Sequence, residues 1–110
     1  MKSGELNKIA KSFAPLLPPP WKQIGREFFR CEGSWVQIVG FNPSRFADTY
    51  VPRSSFEFLK MPGTPTGGFL GQELHHANST QRWVKIAESS AEVFDEMTKQ
   101  FRPALLGPLH

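Results

Sequence analysis

Trp35-Val36-Gln37-Ile38-Val39-Gly40-Phe41 is the stretch from which the fold can be read. β-branched and aromatic residues dominate it, and nearly every position is apolar. That is the pattern of a central strand covered on both faces. Upstream, Ile24 to Cys31 forms a second β-prone run, and Glu32-Gly33-Ser34 between the two supplies the short glycine-containing turn of a hairpin. Side chains alternate along a strand, so the segment divides into two sets. Val36 and Ile38, together with Phe28, are expected to face the helices, and Trp35, Val39 and Phe41 the opposite side.

Working outward, Asn42 to Arg53 carries Pro43, Ser44, Asp48 and Pro52 and reads as a loop, followed by a third strand over Ser55 to Lys60. Met61 to Gln81 holds two prolines and four glycines and is expected to be mostly irregular, with Phe69, Leu70 and Leu74 folded back onto the core. Gln81 to Ile86, centred on Trp83 and Val84, is a candidate fourth strand. Helices flank the sheet. Leu6, Ile9, Ala10, Phe13, Leu16 and Leu17 recur at helical spacing, with Ser3 as N-cap and Pro15 ending or kinking the helix near Ala14. Pro18-Pro19-Pro20 then reads as a stiff extended connector. Ser89 and Glu92 have capping-box spacing, and Val93, Phe94, Met97 and Phe101 continue a helix from about Ser90 to Phe101. Pro103 stops it, and Gly107 and Pro108 mark a loose tail. The expected fold class is α+β: a short antiparallel β-sheet of three or four strands flanked by an N-terminal and a C-terminal helix, as a single domain over residues 1–110.

A chain of 110 residues fits one core, and 39% hydrophobic against 21% charged residues is globular balance. Ten Phe and three Trp concentrate the apolar area in rings. The net charge of +3 is spread along the chain without a basic run, which favours a mixed wet surface over a nucleic-acid face. Cys31 is the single cysteine, so no intrachain disulfide forms and a reducing cytoplasm is the expected location. No apolar run has the length of a signal peptide core or a membrane span, so no membrane partner is expected.

Four short motifs resemble a bacterial family of uncharacterised α+β domains, the domain of unknown function numbered four-three-zero-four. They are Gly25-Arg26-Glu27-Phe28-Phe29-Arg30, Val39-Gly40-Phe41-Asn42-Pro43-Ser44-Arg45-Phe46, Phe56-Glu57-Phe58-Leu59, and Arg82-Trp83-Val84 ahead of the last helix. The likeness spans about Ile9 to Leu106. Where family members have Gly-Phe before the first strand and Gln after the Phe of the second, this chain has Pro20-Trp21 and Asn42. The resemblance implies an α+β layer and no particular activity, cofactor or substrate.

No catalytic signature is evident, and no cofactor is expected. Gln72-Glu73-Leu74-His75-His76 is the densest group of potential metal ligands, but adjacent histidines diverge, so it reads as a solvated loop and no metal site is assigned. Cys31 beside Arg30 reads as a packing residue rather than a nucleophile. Gly63-Thr64-Pro65-Thr66-Gly67-Gly68 lacks the Lys and Ser or Thr of a phosphate-binding loop and reads as a turn-rich segment. The most suggestive polar group follows the central strand: Asn42, Ser44 and Arg45, with Tyr50 and His75, form a candidate ligand pocket.

Three functions follow. The first is a non-enzymatic interaction protein that pairs with itself as a homodimer, or with another protein, through a sheet face bearing Trp35, Val39, Phe41, Phe56, Phe58 and Trp83, since two short helices cover only about one face. The second is a small-molecule-binding domain or weak enzyme using the Asn42 to Tyr50 loop. The third is binding of RNA or single-stranded nucleic acid through Arg26, Arg30, Arg45, Arg53 and Arg82 among aromatics.

Overall fold

Two glycines set the register of the first three strands. Gly25 and Gly33 have φ of 63° and 60°, each as the first residue of a two-residue hairpin loop, where a positive φ matches the twist of the flanking strands. Gly25-Arg26 therefore splits the expected first strand into β1 (Lys22–Ile24) and β2 (Glu27–Glu32), and Gly33-Ser34 leads into β3 (Trp35–Pro43). The structure, a computed structural model, describes residues 3–44, 48–58, 67–78, 80–102 and 104–106.

The described sheet has six strands instead of three or four, all antiparallel, in the order β1-β2-β3-β4-β5. β4 (Thr49–Phe58) begins where a loop was expected, because Pro43↔Tyr50 through Trp35↔Phe58 pair continuously. Its outer edge changes partner: Thr49 and Tyr50 pair with β6 (Val84–Lys85), and Arg53 to Phe58 pair with β5 (Gly67–Glu73). Pro52 sits at the changeover. Its carbonyl accepts from Leu74 N at 3.0 Å on that outer edge, so the donor it lacks also belongs to the outer edge and the β3 ladder loses nothing. β5 forms despite its glycines because β4 offers a ready edge; pairing overrides weak strand propensity. The expected fourth strand over Gln81 to Ile86 shrinks to β6, preceded by an isolated bridge between His75 and Gln81.

Helix α1 (Ser3–Phe13) passes into a 3₁₀ turn at Ala14–Leu16, so Pro15 tightens the helix end as its chemistry requires. Ser3 lies inside α1 rather than capping it. The proline triplet is not extended: Trp21 N donates to Pro18 O at 3.1 Å, closing a turn around a cis Pro19-Pro20 bond. Helix α2 (Ser90–Gln100) starts after Ser89 without a side-chain cap; the Ser89 carbonyl instead accepts from Val93 N at 3.1 Å. No described helix is long and apolar enough to cross a membrane.

Both helices pack on the same face of the sheet, and it is the opposite face from the one expected. Phe28↔Val39 are cross-strand partners and therefore share a side, with Phe41 two residues on. Phe41 meets Phe13 of α1 at 4.9 Å between ring centroids, Tyr50 at 5.9 Å and Phe28 edge-on at 6.4 Å, while Phe13 meets Phe94 of α2 at 6.5 Å. Leu6, Ile9, Leu17, Leu74, Val84, Val93 and Met97 complete this core. Ile38 is only half-buried, on the helix-free side. Val36 is buried there too, outside the main core cluster.

Polar groups share the core face. Arg30 Nε donates to Gln37 Oε1 at 2.9 Å, and Gln37 Nε2 donates to Ser54 Oγ at 3.2 Å, a row across β2, β3 and β4. Arg30 also donates to the Ala104 carbonyl and lies 5.0 Å from the Trp21 ring centroid, whose Nε1 donates to Leu105 O at 2.9 Å. Ala104–Leu105 is thus docked, and Leu105 is fully buried, while the tail at Gly107 and Pro108 lies outside the described residues. Burial draws the Arg30 guanidinium below its ordinary pKa, with nearby Glu32 opposing. Among the described residues no buried side-chain polar atom lacks a partner.

The face assignment makes a ranking. Phe41→Ala is expected to cost about 3–5 kcal/mol in urea denaturation by opening the centre of the ring cluster, and Ile38→Ala less than half as much. The reverse order would mean that the helices cover the other face.

Candidate functional site

A groove of about 810 Å³ lies on the helix side among the described residues. Glu5, Lys8, Ile9 and Ser12 of α1 line one wall, at the spacing that puts them on one helical face. The other wall is Asp48 before β4, Thr49 and Tyr50 at its start, Lys85 of β6 with Ile86 and Ala87 after it, and Ser90 at the start of α2. Asp48 has a φ of 66°, and its carbonyl accepts from Ile86 N at 2.9 Å, so the left-handed turn is held against β6. The walls meet where Ser12 Oγ and Ser90 Oγ lie 2.5 Å apart.

A charge cluster fixes the second wall. Arg82 donates to Glu88 Oε1 at 2.6 Å and to Glu96 Oε2 of α2 at 3.0 Å. Glu88 in turn accepts from Lys85 N at 2.7 Å. Hydrogen bonds to Glu88 and then Glu96 raise the Arg82 pKa, and the Arg82 contact holds the Glu88 carboxyl below its ordinary value against a smaller effect of burial. Burial pushes the Tyr50 phenol up, reinforced by the Glu88 charge and opposed by Arg82.

The helix-free face carries a different constellation. Glu27 of β2, Gly40 of β3 and Arg53 of β4 stand across three strands, and Gly40 is where a side chain would collide: a Cβ there would lie 2.7 Å from Arg53 Nη2. The missing side chain lets Arg53 cross β3 and reach Glu27 at 2.5 Å. Arg53 Nε donates to Asn42 Oδ1 at 2.9 Å, Asn42 Nδ2 to Glu73 Oε2 at 3.3 Å, and Gln81 Nε2 to Glu73 Oε1 at 2.8 Å. A shallow cavity of about 350 Å³ lies along Asn42, Arg53, Ser55 and Glu73. Beside this polar half lies an apolar half, with Phe29 and Ile38 paired and half-buried and Ile24 67% exposed.

The candidate pocket residues do not converge. Asn42 is on the helix-free face and Tyr50 on the helix face, Ser44 is buried with its N–H on Thr49 O at 3.1 Å, and Arg45 lies outside the described residues. His75 is exposed, its backbone clamped in both directions by the Gln100 side chain at 3.0 and 2.8 Å. Of the candidate interface residues, Val39 and Phe41 are in the core instead. Trp35 and Phe56 stack at 4.6 Å on the same face as the core, Trp83 is 42% exposed, and the Phe58 side chain lies outside the described residues. The described arginines of the nucleic-acid reading do not gather either: Arg30 is in the core, Arg53 is on Glu27, Arg82 is on Glu88 and Glu96, and Arg26 is in the β1–β2 turn. Cys31 is exposed, and alternation sends Arg30 to the other face, away from it. Most of the Gly63–Gly68 segment lies outside the described residues, as does His110.

The groove was missed because its walls come from three distant segments; only the α1 spacing is visible in the sequence. Among the described residues no three His, Cys, Asp or Glu side chains gather as a metal site. No family model, curated protein or solved structure matches the chain.

The Arg82 cluster fixes an acid response. A carboxyl whose folded pKa is depressed adds stability above its unfolded value, here near 4.5, and that stability is lost as pH falls through the lower folded value. Arg82→Ala is expected to cost about 1–2 kcal/mol at pH 7, since two partly exposed carboxylates lose a shared partner, and to flatten the fall of stability below pH 4.5. Chemical denaturation at a series of pH values reads both; an unchanged acid limb would mean that the cluster is not formed in solution.

Proposed function

We propose that the chain is a small interaction domain that pairs with a second copy of itself through the helix-free face of the sheet. The observation that carries this reading is Ile24, 67% exposed, beside the half-buried Phe29 and Ile38, on a face that neither helix covers. Apolar area left to water is costly, and a partner surface removes the cost. The partner is a second copy because the surrounding charges are of both signs: Lys22 and Arg53 on one hand, Glu27 and Glu57 on the other. In a twofold pairing each patch meets itself, and a mixed rim can place opposite charges together where a rim of one sign would repel. The interface so drawn is centred on Ile24, Phe29 and Ile38. The resemblance to the four-three-zero-four family remains a proposal beside this one and supplies no ligand.

Sedimentation velocity over a range of concentrations tests it. The wild-type chain is expected to reach the mass of a dimer, and Ile24→Glu, which alters an exposed side chain, to weaken association by about tenfold or more. Leu106→Glu, at an exposed apolar residue in the C-terminal segment, is the control and should leave association unchanged. A wild-type monomer at the highest concentrations would end the proposal.

A further inference from the structure

We infer that the groove between α1 and the β6–α2 segment is a binding site for a short free peptide, recognised as a zwitterion with apolar side chains. Its volume of about 810 Å³ falls in the range of about 300–1,000 Å³ typical of small-ligand sites. The lining divides by chemistry. Ile86 and Ala87 supply exposed apolar surface above the buried Ile9 and Tyr50, and the charges are Glu5 and Lys8 on the α1 wall and Asp48 and Lys85 on the other. Each wall thus holds one carboxylate and one ammonium.

That balance selects the ligand. Two positive and two negative groups give the groove no net charge, so neither a simple anion nor a simple cation is favoured over the other. A molecule that carries an ammonium at one end and a carboxylate at the other can satisfy both kinds of group at once. The hydroxyl contact between Ser12 and Ser90 ties α1 to α2 within its lining. A groove tied across at that point, with charges of both signs, suits a short ligand with two charged ends more than a through-running chain. Tyr50 lies on the helix face and Ile24 on the other, so this site and the proposed self-association surface are on opposite sides of the sheet and either can fail without the other.

The test is titration of the full chain with the tripeptide Leu-Ala-Leu, free at both ends, followed by amide chemical shifts. Saturable changes confined to residues 5–12, 48–50 and 85–90 are expected. The same tripeptide acetylated and amidated at its ends should bind about tenfold or more weaker. Lys8→Glu with Lys85→Glu should weaken the free peptide by a similar factor, with shifts outside the groove unchanged. If that double variant does not fold, Lys85→Ala, which trims one exposed side chain, supplies the same comparison. No saturable change, changes centred elsewhere, or equal affinity for the capped and free peptides would each overturn the inference.

Discussion

The ring of Phe41 is the contact on which the rest of the molecule depends. It stands on the central strand, and it touches a ring from α1, one from β2 and one from β4. Phe13 passes the contact on to α2 through Phe94. Elements far apart in sequence therefore share one buried cluster, and each large ring contributes area that a chain of this length would otherwise need several aliphatic residues to supply. The position of Phe41 also decides the sidedness of everything else. Once it points at α1, alternation sends Gln37 and Val39 to the same side and Ile38 and Gly40 to the other.

Sidedness has polar consequences on both faces. On the core face, Gln37 enters an apolar environment and is tolerable only because Arg30 and Ser54 satisfy its amide in both senses. On the other face, Gly40 leaves the gap over which Arg53 reaches Glu27. The first row fixes where the C-terminal segment docks, because Arg30 binds Ala104 and Trp21 binds Leu105. The second divides the open face into a charged half and an apolar half. Further along, Gln72 and Gln100 use their side-chain amides as two-way clamps on the Arg102 and His75 backbones, which ties the end of β5 to the end of α2.

Much of this was legible, and the reasons for the rest are specific. Helical periodicity located α1 and α2 nearly to the residue, and the β2–β3 hairpin followed from Gly33. The α+β class with an antiparallel sheet followed from those elements together. The two faces of β3 were inverted because both sets of residues are apolar and Gln37 made the true core set look the wetter one. Register held the answer: a two-residue loop at Gly33-Ser34 makes Phe28 and Val39 cross-strand neighbours, so they could never have faced opposite ways. β4 was cut short because Pro43 and Pro52 signal loops, and only the pairing shows that Pro52 occupies a site with no ladder bond to lose. β5 could not be read from its glycines, since its partner edge belongs to a tertiary arrangement. The described candidate pocket residues are divided for a simpler reason. Asn42 and Tyr50 belong to opposite faces of one hairpin, and proximity in sequence said nothing about side.

The groove, in contrast, is built from parts that are already fixed. Tyr50 is held in the core cluster, Asp48 is pinned by Ile86, and Arg82 joins Glu88 to α2. The α1 wall is anchored by Ile9, Ala10 and Phe13 beneath it. Little of this backbone needs ordering when a ligand arrives, so the entropy cost that opposes binding falls mainly on the exposed lysine side chains and on the ligand itself. Lys8 and Lys85 are also the groups whose long stems can adjust to ligands of slightly different length. A site with a packed apolar floor and charges of both signs on its rim discriminates by the placement of charge and tolerates variation in the side chain between. That combination is the physical ground for assigning the groove a class of ligand instead of a single compound.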